Sequence, residues 1–442
     1  MQDGNSSAND AGTRFPPLVE PGPELTVEER QRYARHLILR DFGPVAQRRV
    51  RAATALVVGA GGLGSPVLLY LAAAGIGRLV VVDDDTVDLS NLHRQVIHGE
   101  GSIGMDKSES ASRRLADLAA LVEVEAHTVR LDPSNISEFV DDCDLVIDGS
   151  DNFATRYLVA DACEISGTPL VWGTLDRYRA QFSVFWSAPP ASYEPIGLRD
   201  VYPEAPAPGT VPSCGEAGIL GALTGQIGSL LALQALWLIT GVGEPALGRL
   251  VLVDSLATTQ RSLRLHADPD RARVTALGAI SQDVSCELPA GGEAAAGASD
   301  EFAQVEEISA AEASRLLGPD SGTVFLDVRE AGERAVASIE PSLWVPLGEI
   351  ADALADPTSP LSRALGGSGG EGSAGGSDDD TAASGTDLVV FCKAGGRSAQ
   401  AARIIVERAA TTGAGGGAVR VRSMAGGIDE WSTEIDPSLP RY

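Results

Sequence analysis

Short apolar runs alternate with longer, helically periodic stretches along most of this chain. The run Arg51–Val58 (RAATALVV) lies between a basic segment and a glycine turn, and predicts a buried parallel strand. Leu63–Ala74 predicts a helix, and Leu79–Val82 a second buried strand ending at Asp83-Asp84-Asp85. Lys107–Leu121 has helical periodicity, while Leu145–Ile147, Pro169–Trp172, Phe182–Trp186 and Leu250–Val253 predict further short strands. Strands that alternate with helices imply a doubly wound α/β domain. Ala217–Ile239 is nearly all apolar, which raises the question of a membrane span. Gln226, Gln234 and interior glycines, with no basic flank, favour a buried core helix and no membrane.

A second, smaller α/β unit follows. Val324–Leu326 and Leu388–Phe391 predict strands, and Ser398–Ala409 a helix. The expected division is a disordered tail over 1–24, a first domain over 25–267, a linker over 268–301 and a second domain over 302–442. Residues 366–386, almost all Gly, Ser, Ala and Asp, predict a disordered insertion, and Gly413–Gly417 reads the same way.

Acidic residues outnumber basic ones 61 to 34, for a net charge of −27. That balance argues against nucleic acid as partner, because phosphate backbones are bound by clustered Lys and Arg. The five cysteines are widely spaced without a CxxC pair, so they predict reduced thiols in a cytoplasmic setting rather than a disulfide framework. The N-terminal stretch lacks the charged-then-apolar pattern of a signal peptide.

Gly59-Ala60-Gly61-Gly62-Leu63-Gly64 follows the first strand and opens a helix. Glycines let the backbone approach a phosphate, and the helix N-terminus favours its charge. Asp83 closes the next strand, where an acid commonly accepts ribose hydroxyls. This much suits an NAD-dependent oxidoreductase equally well. The distinction comes from Ser90-Asn91-Leu92-His93-Arg94-Gln95, then Lys107, then Gly149-Ser150-Asp151-Asn152. Arg94 and Lys107 beside phosphates can neutralise charge that develops during attack, and Asp151 can hold Mg²⁺, which prefers oxygen ligands. Hydride transfer has no use for that set.

From Tyr33 to about Leu256 these residues resemble the MoeB/ThiF family of adenylating enzymes, relatives of the ubiquitin-activating enzymes. The resemblance rests on Arg32-Tyr33-Ala34-Arg35-His36, GAGGLG, DDDTVDLSNLHRQ, Gly104-x-x-Lys107, DGSDN and Cys214-Gly-Glu-Ala-Gly-Ile-Leu-Gly221. It implies a Rossmann-like adenylating domain that uses ATP and Mg²⁺. Gly59, Gly61, Gly62 and Gly64 would line the nucleotide, Asp83 would meet its ribose, Asn91, Arg94, Gln95 and Lys107 would surround its phosphates, and Ser90, Leu92 and Asn152 would also bind it. Asp151 would bind the Mg²⁺, and Arg35 would reach into the site of the other subunit of a homodimer. His36, His93 and His98 have no metal-like spacing and receive no role as ligand or base.

Many family members bind a structural zinc through two CxxC pairs. Here Gly197 and Asp200 occupy the positions of the first pair and no second pair follows Leu256, so zinc is not expected. That departure resembles a zinc-free, two-domain type found in actinobacteria. Cys214 follows the proline-rich stretch Pro203–Pro212, read as a loop, and by resemblance can attack the activated carboxylate. Cys143 and Cys163 read as packing residues, and Cys286 falls in the linker without a motif.

Phe391-Cys392-Lys-Ala-Gly-Gly-Arg397-Ser398 joins a strand to a helix, where backbone N–H groups and the helix dipole stabilise a thiolate or persulfide, with Arg397 adding positive charge. With Leu326-Asp-Val-Arg-Glu330 and Met424-Ala-Gly-Gly-Ile-Asp-Glu-Trp431, it resembles a rhodanese-like domain. The spacing from Cys392 to Arg397 is shorter than in the related cysteine phosphatases, which favours sulfur over phosphate. Together the resemblances imply ATP-dependent adenylation of the C-terminal glycine of a ubiquitin-like sulfur-carrier protein. Sulfur would follow from a Cys392 persulfide loaded by a donor such as a cysteine desulfurase. Molybdenum cofactor biosynthesis is one pathway that uses such carriers. An NAD-dependent oxidoreductase fused to a sulfurtransferase, and a non-catalytic carrier-binding module, are the alternative readings.

Overall fold

The computed structural model describes residues 15–206, 218–278, 305–318, 321–365, 386–412 and 419–441. Most of the N-terminal tail, residues 366–385 of the expected insertion, Gly413–Gly417, Cys214 and Cys286 lie outside the described residues. The chain divides into two compact units.

The first unit is built on eight strands: β1 Thr54–Val58, β2 Arg78–Val82, β3 Glu123–His127, β4 Leu145–Asp148, β5 Leu170–Asp176, β6 Arg179–Phe185, β7 Arg249–Asp254 and β8 Thr259–Arg264. Their order is β3-β2-β1-β4-β5-β6-β7-β8. Pairing is parallel from β3 to β5 and antiparallel from β5 to β8. The strand order reverses at β1, which lies between β2 and β4. A crevice opens at such a point beyond the carboxyl ends of the strands, and ligands bind there.

Buried strands were the legible ones. Leu56, Val57, Leu79, Val81, Val146 and Ile147 are fully buried, as continuous apolar runs require. The predicted first strand starts too early, because Arg51 and Ala52 end the helix Gly43–Ala52 and the chain turns extended only at Ala53. Edge strands β3 and β8 were missed. All six residues of β8 are exposed, so no apolar pattern marks it.

The long apolar segment forms the helix Gly221–Thr240. Its length and composition would suit a membrane, but Ile227, Leu231, Ala235, Leu238 and Ile239 are fully buried in the first unit's core. It packs closely on the helix Gly64–Ala74, since a Cβ at Gly228 would come within 2.2 Å of the Pro66 ring and 2.6 Å of the Leu63 carbonyl.

The second unit holds a parallel sheet of β9 Glu306–Ile308, β10 Thr323–Asp327, β11 Leu343–Trp344, β12 Asp387–Phe391 and β13 Arg420–Met424, in the order β11-β10-β12-β13-β9. Strand β12 is central and alternates its side chains between two cores. Leu388 and Val390 pack with Ala401, Ala402 and Ile405 of the helix Gly396–Thr412, while Val389 and Phe391 pack with Phe325 and Trp431. Cys392 follows directly at the carboxyl end of β12.

Candidate active sites

The glycine turn leaves β1 at Gly59, whose N–H donates to the Val82 carbonyl at 2.8 Å. Gly59 has φ +88°, and a Cβ at Gly64 would lie 1.8 Å from the Gly59 oxygen. Only glycine fits at Gly64, because the helix start doubles back onto the strand end. The N–H groups of Gly61, Gly62 and Leu63 have no acceptor among the described residues. They form a short row of open donors at a helix N-terminus, which suits an anion.

Asp83 holds this turn. Its Oδ2 accepts the Ala60 N–H at 2.7 Å and its Oδ1 accepts the Asp85 N–H at 2.9 Å. Burial raises its pKa, with Lys107 opposing. A carboxylate offers about four acceptor positions, so capacity remains for ribose hydroxyls.

The Ser90–Gln95 segment lies alongside. A Cβ at Gly61 would sit 3.6 Å from Gln95 Nε2, and one at Gly62 would sit 3.7 Å from Arg94 Cγ. Gln95 is buried with its Oε1 unpartnered, a polar atom that a bound nucleotide or its water would satisfy. Asp88 caps the short helix Leu89–Asn91 and accepts the Ser90 hydroxyl at 2.6 Å, while Arg94 donates back to the Ser90 carbonyl at 3.0 Å. Leu92 and Asn91 are half-buried. Lys107 begins the helix Lys107–Leu118, and its ammonium meets Asp85 Oδ2 at 2.5 Å.

Strand β4 delivers the third segment. Asp148 is fully buried and accepts the Ser150 N–H at 2.9 Å and hydroxyl at 2.6 Å. Burial raises its pKa, partly offset by Arg156. Gly149 backs onto the glycine turn, within 3.0 Å of a Gly59 Cβ. Asp151 is exposed, and Asn152 caps the helix Phe153–Ser166 by accepting the Thr155 N–H at 2.8 Å. One accessible carboxylate, two residues after the Gly149 that backs onto the glycine turn, fits Mg²⁺, which takes one or two carboxylates together with substrate phosphates.

Arg35 stands apart. It is exposed on the short helix Ala34–Leu37. Tyr33 before it is buried against Gly75, and His36 after it is held by Gln47 Oε1 at 2.9 Å.

At Gly197 and Asp200 the structure has an ion-pair cluster. Arg271 donates to Asp200 Oδ1 at 2.7 Å and to Glu164 Oε1 at 3.1 Å, and the Val274 N–H reaches Glu164 at 3.0 Å. Among the described residues no group of three or more His, Cys, Asp or Glu is placed to hold a metal ion. Burial pushes the Cys143 thiol up to about 12 and raises that of Cys163 as well, which makes both poor nucleophiles.

In the second unit Cys392 is fully buried, and its Sγ accepts the Gly395 N–H at 3.1 Å. The Ser398 hydroxyl lies 3.6 Å from the sulfur, donates to the Gly395 carbonyl at 2.7 Å and accepts from Ser423 at 3.0 Å. The Ile428 and Asp429 N–H groups donate to the carbonyls of Cys392 and Lys393, which anchors the loop from the Gly427 side. Below it, Arg329 is fully buried and doubly bonded to Asp327 at 2.9 and 2.7 Å. The Arg397 guanidinium is matched by Glu333 through two bonds of 2.7 Å, so it ties the loop to the helix Ala331–Val336. The Gly395 N–H and the start of the helix Gly396–Thr412 supply positive field at the sulfur.

The sequence motifs assign no role to Asp85 or Asp148, which lie within them, and His98 has none there as ligand or base. No spacing signal marks them, since each works through a contact with a residue distant in the chain or through a backbone group.

A doubly wound unit with an open phosphate turn, in one chain with a cradled cysteine, defines a two-domain nucleotidyl- and sulfur-transferring enzyme. The chain belongs to the ThiF family, which it matches over residues 33–274, and it carries a rhodanese-like domain over residues 309–434. It is an adenylyltransferase and sulfurtransferase, and ATP is the nucleotide expected of its family. It is 39% identical to the probable adenylyltransferase/sulfurtransferase MoeZ of Mycobacterium tuberculosis, over 97% of this chain and 100% of that protein. It is 33% identical to the adenylyltransferase and sulfurtransferase MOCS3-2 of Zea mays, over 96% of this chain and 83% of the relative. The sulfur carrier protein adenylyltransferase of Thermus thermophilus is 46% identical over 55% of this chain and 90% of its own length.

Proposed function

We propose that the enzyme adenylates the C-terminal glycine of a ubiquitin-like sulfur carrier ending in Gly-Gly and then converts it to a thiocarboxylate with sulfur from a Cys392 persulfide. The observation that carries this reading is the row of open N–H groups at Gly61–Leu63, flanked by Arg94 and Gln95. The turn donors and Asp83 hold ATP. Arg94 and Lys107 offset charge on the α-phosphate as the carrier carboxylate attacks and pyrophosphate departs. Asp151 would hold Mg²⁺, which would supply further positive charge to the phosphates. Arg35, exposed between the buried Tyr33 and the hydrogen-bonded His36, would serve the second subunit of a homodimer.

The terminal sulfur of the Cys392 persulfide then attacks the acyl-adenylate and AMP leaves, which joins carrier and enzyme as an acyl disulfide. Attack by the Cys214 thiolate on Cys392 Sγ would free the thiocarboxylate and leave a Cys214–Cys392 disulfide for a cellular thiol to reduce. A cysteine desulfurase in the reducing cytoplasm is the class of donor that would reload Cys392, and molybdenum cofactor synthesis is a fitting pathway. Carrier-dependent ATP–pyrophosphate exchange, with mass spectrometry of the carrier, tests both halves. Exchange driven without a Gly-Gly carrier, or NAD binding in place of ATP, would overturn the reading.

A further inference from the structure

We propose that His98 is a positioning residue for adenylation, a strut that holds its proton on Nε2 and sets the glycine turn against the helix that starts at Lys107. The imidazole is buried, with Nε2 3.0 Å from the Ala60 carbonyl and Nδ1 2.9 Å from Ser110 Oγ. A carbonyl oxygen only accepts, so Nε2 must carry the hydrogen, and in the neutral ring Nδ1 then accepts from the Ser110 hydroxyl.

Ala60 is thereby gripped at both of its flanking peptide groups. Its N–H is taken by Asp83 at 2.7 Å and its carbonyl by His98. The two grips hold successive peptide planes, and the second, which His98 holds by its carbonyl, carries the open Gly61 N–H itself and so fixes where that donor aims. At its other nitrogen the ring holds Ser110, one turn after Lys107 in the same helix. Donors for the phosphates and the lysine that answers their charge therefore share one rigid spacer. Burial lowers the His98 pKa and the nearby Lys107 adds to this, which keeps the ring in the neutral form the geometry needs.

Preorganised donors matter most when charge shifts in the transition state, so loss of the strut should appear in kcat more than in binding. The idea rests on the adenylation reading, and the experiment separates the two. ATP–pyrophosphate exchange is measured with a recombinant Gly-Gly-terminated ubiquitin-like carrier, alongside equilibrium binding of a non-hydrolysable ATP analogue. The proteins are wild type, His98→Leu, His98→Gln and Ser110→Ala. In His98→Leu, kcat should fall about 30-fold or more while analogue affinity changes less than about threefold, a split expected of a group that acts in the transition state. His98→Gln can donate through its amide nitrogen and accept through its oxygen, and should recover most of the rate. Ser110→Ala, which removes one contact and keeps the ring, should show a smaller kcat loss in the same direction.

A His98→Leu kcat equal to wild type overturns the strut, as does a His98→Gln enzyme no better than His98→Leu. If His98→Leu does not fold, His98→Gln and Ser110→Ala decide, and wild-type kcat in Ser110→Ala overturns the proposal. Absence of exchange in the wild type overturns the adenylation reading and the strut with it.

Discussion

The Lys107 ammonium lies 2.5 Å from Asp85 Oδ2, and the Lys107 N–H donates to the Asp85 carbonyl at 2.9 Å. Lys107 is nearly buried, whereas the Asp85 side chain is 64% exposed. The pair thus aims a charged lysine at the phosphate turn from a carboxylate that water can reach. Asp85→Asn should lower carrier-dependent exchange by about tenfold, because the lysine loses its guide. The melting temperature should move little, since half-exposed pairs add about 1 kcal/mol or less. A large drop in melting temperature with unchanged exchange would show that the pair is structural instead.

Arg94 spans from the Ser90 carbonyl to the face of Gly62. Arg94→Ala should reduce exchange by about 10²–10³-fold, the usual loss for one charge-stabilising donor. Steady-state exchange kinetics check this, and activity within a factor of about three of wild type would remove Arg94 from the phosphate site.

Cys392→Ala should leave exchange intact and abolish thiocarboxylate, as read by intact-mass spectrometry of the carrier. Ser398→Ala should slow sulfur delivery without stopping it, since the Gly395 N–H still reaches the sulfur. Undiminished thiocarboxylate from Cys392→Ala would place the sulfur elsewhere.

Arg397 is a test of stability as well as chemistry. Burial alone would raise the Glu333 pKa, but the bonds from Arg397 bring it below the ordinary carboxylate value. Arg397→Ala would take the guanidinium partner from that buried carboxylate, at a cost of about 3 kcal/mol in a denaturant titration of the whole protein. A double variant Arg397→Ala with Glu333→Ala should recover much of this. No recovery would mean that Arg397 contributes mainly through other contacts.

Asp200 gives a pH signature. Burial alone would raise its pKa, yet the bond from Arg271 and the Gly197 N–H hold it below the usual range. The folded state then binds the proton less readily than the unfolded chain does. Its stabilisation is complete above the unfolded value of about 4 and is lost as pH falls through the lower folded value. Arg271→Leu should lower the melting temperature at pH 7 and flatten its decline in acid. Equal acid slopes in both proteins would exclude the cluster as the cause.

Legibility followed burial and local geometry. Strands β1, β2 and β4 announced themselves because both of their faces are covered and their side chains are continuously apolar. Strand β8 did not, because every residue in it is exposed. Gly59 and Gly64 could be read from the chain because a strand–turn–helix phosphate loop demands glycine at fixed offsets. Cys392 could be read because its loop is contiguous.

The sequence by itself therefore determined two α/β units, a phosphate-binding turn and a cysteine at a strand–helix junction, since each is set by neighbours a few residues away. Only the tertiary structure decided which charges and donors meet. It paired Arg397 with Glu333, gathered Arg271, Glu164 and Asp200 at the position of the missing CxxC pair, and set His98 between Ala60 and Ser110. Hydrogen bonds and ion pairs depend on distances of about 3 Å in space, and a chain order with partners 38, 64 or 107 residues apart carries no record of them.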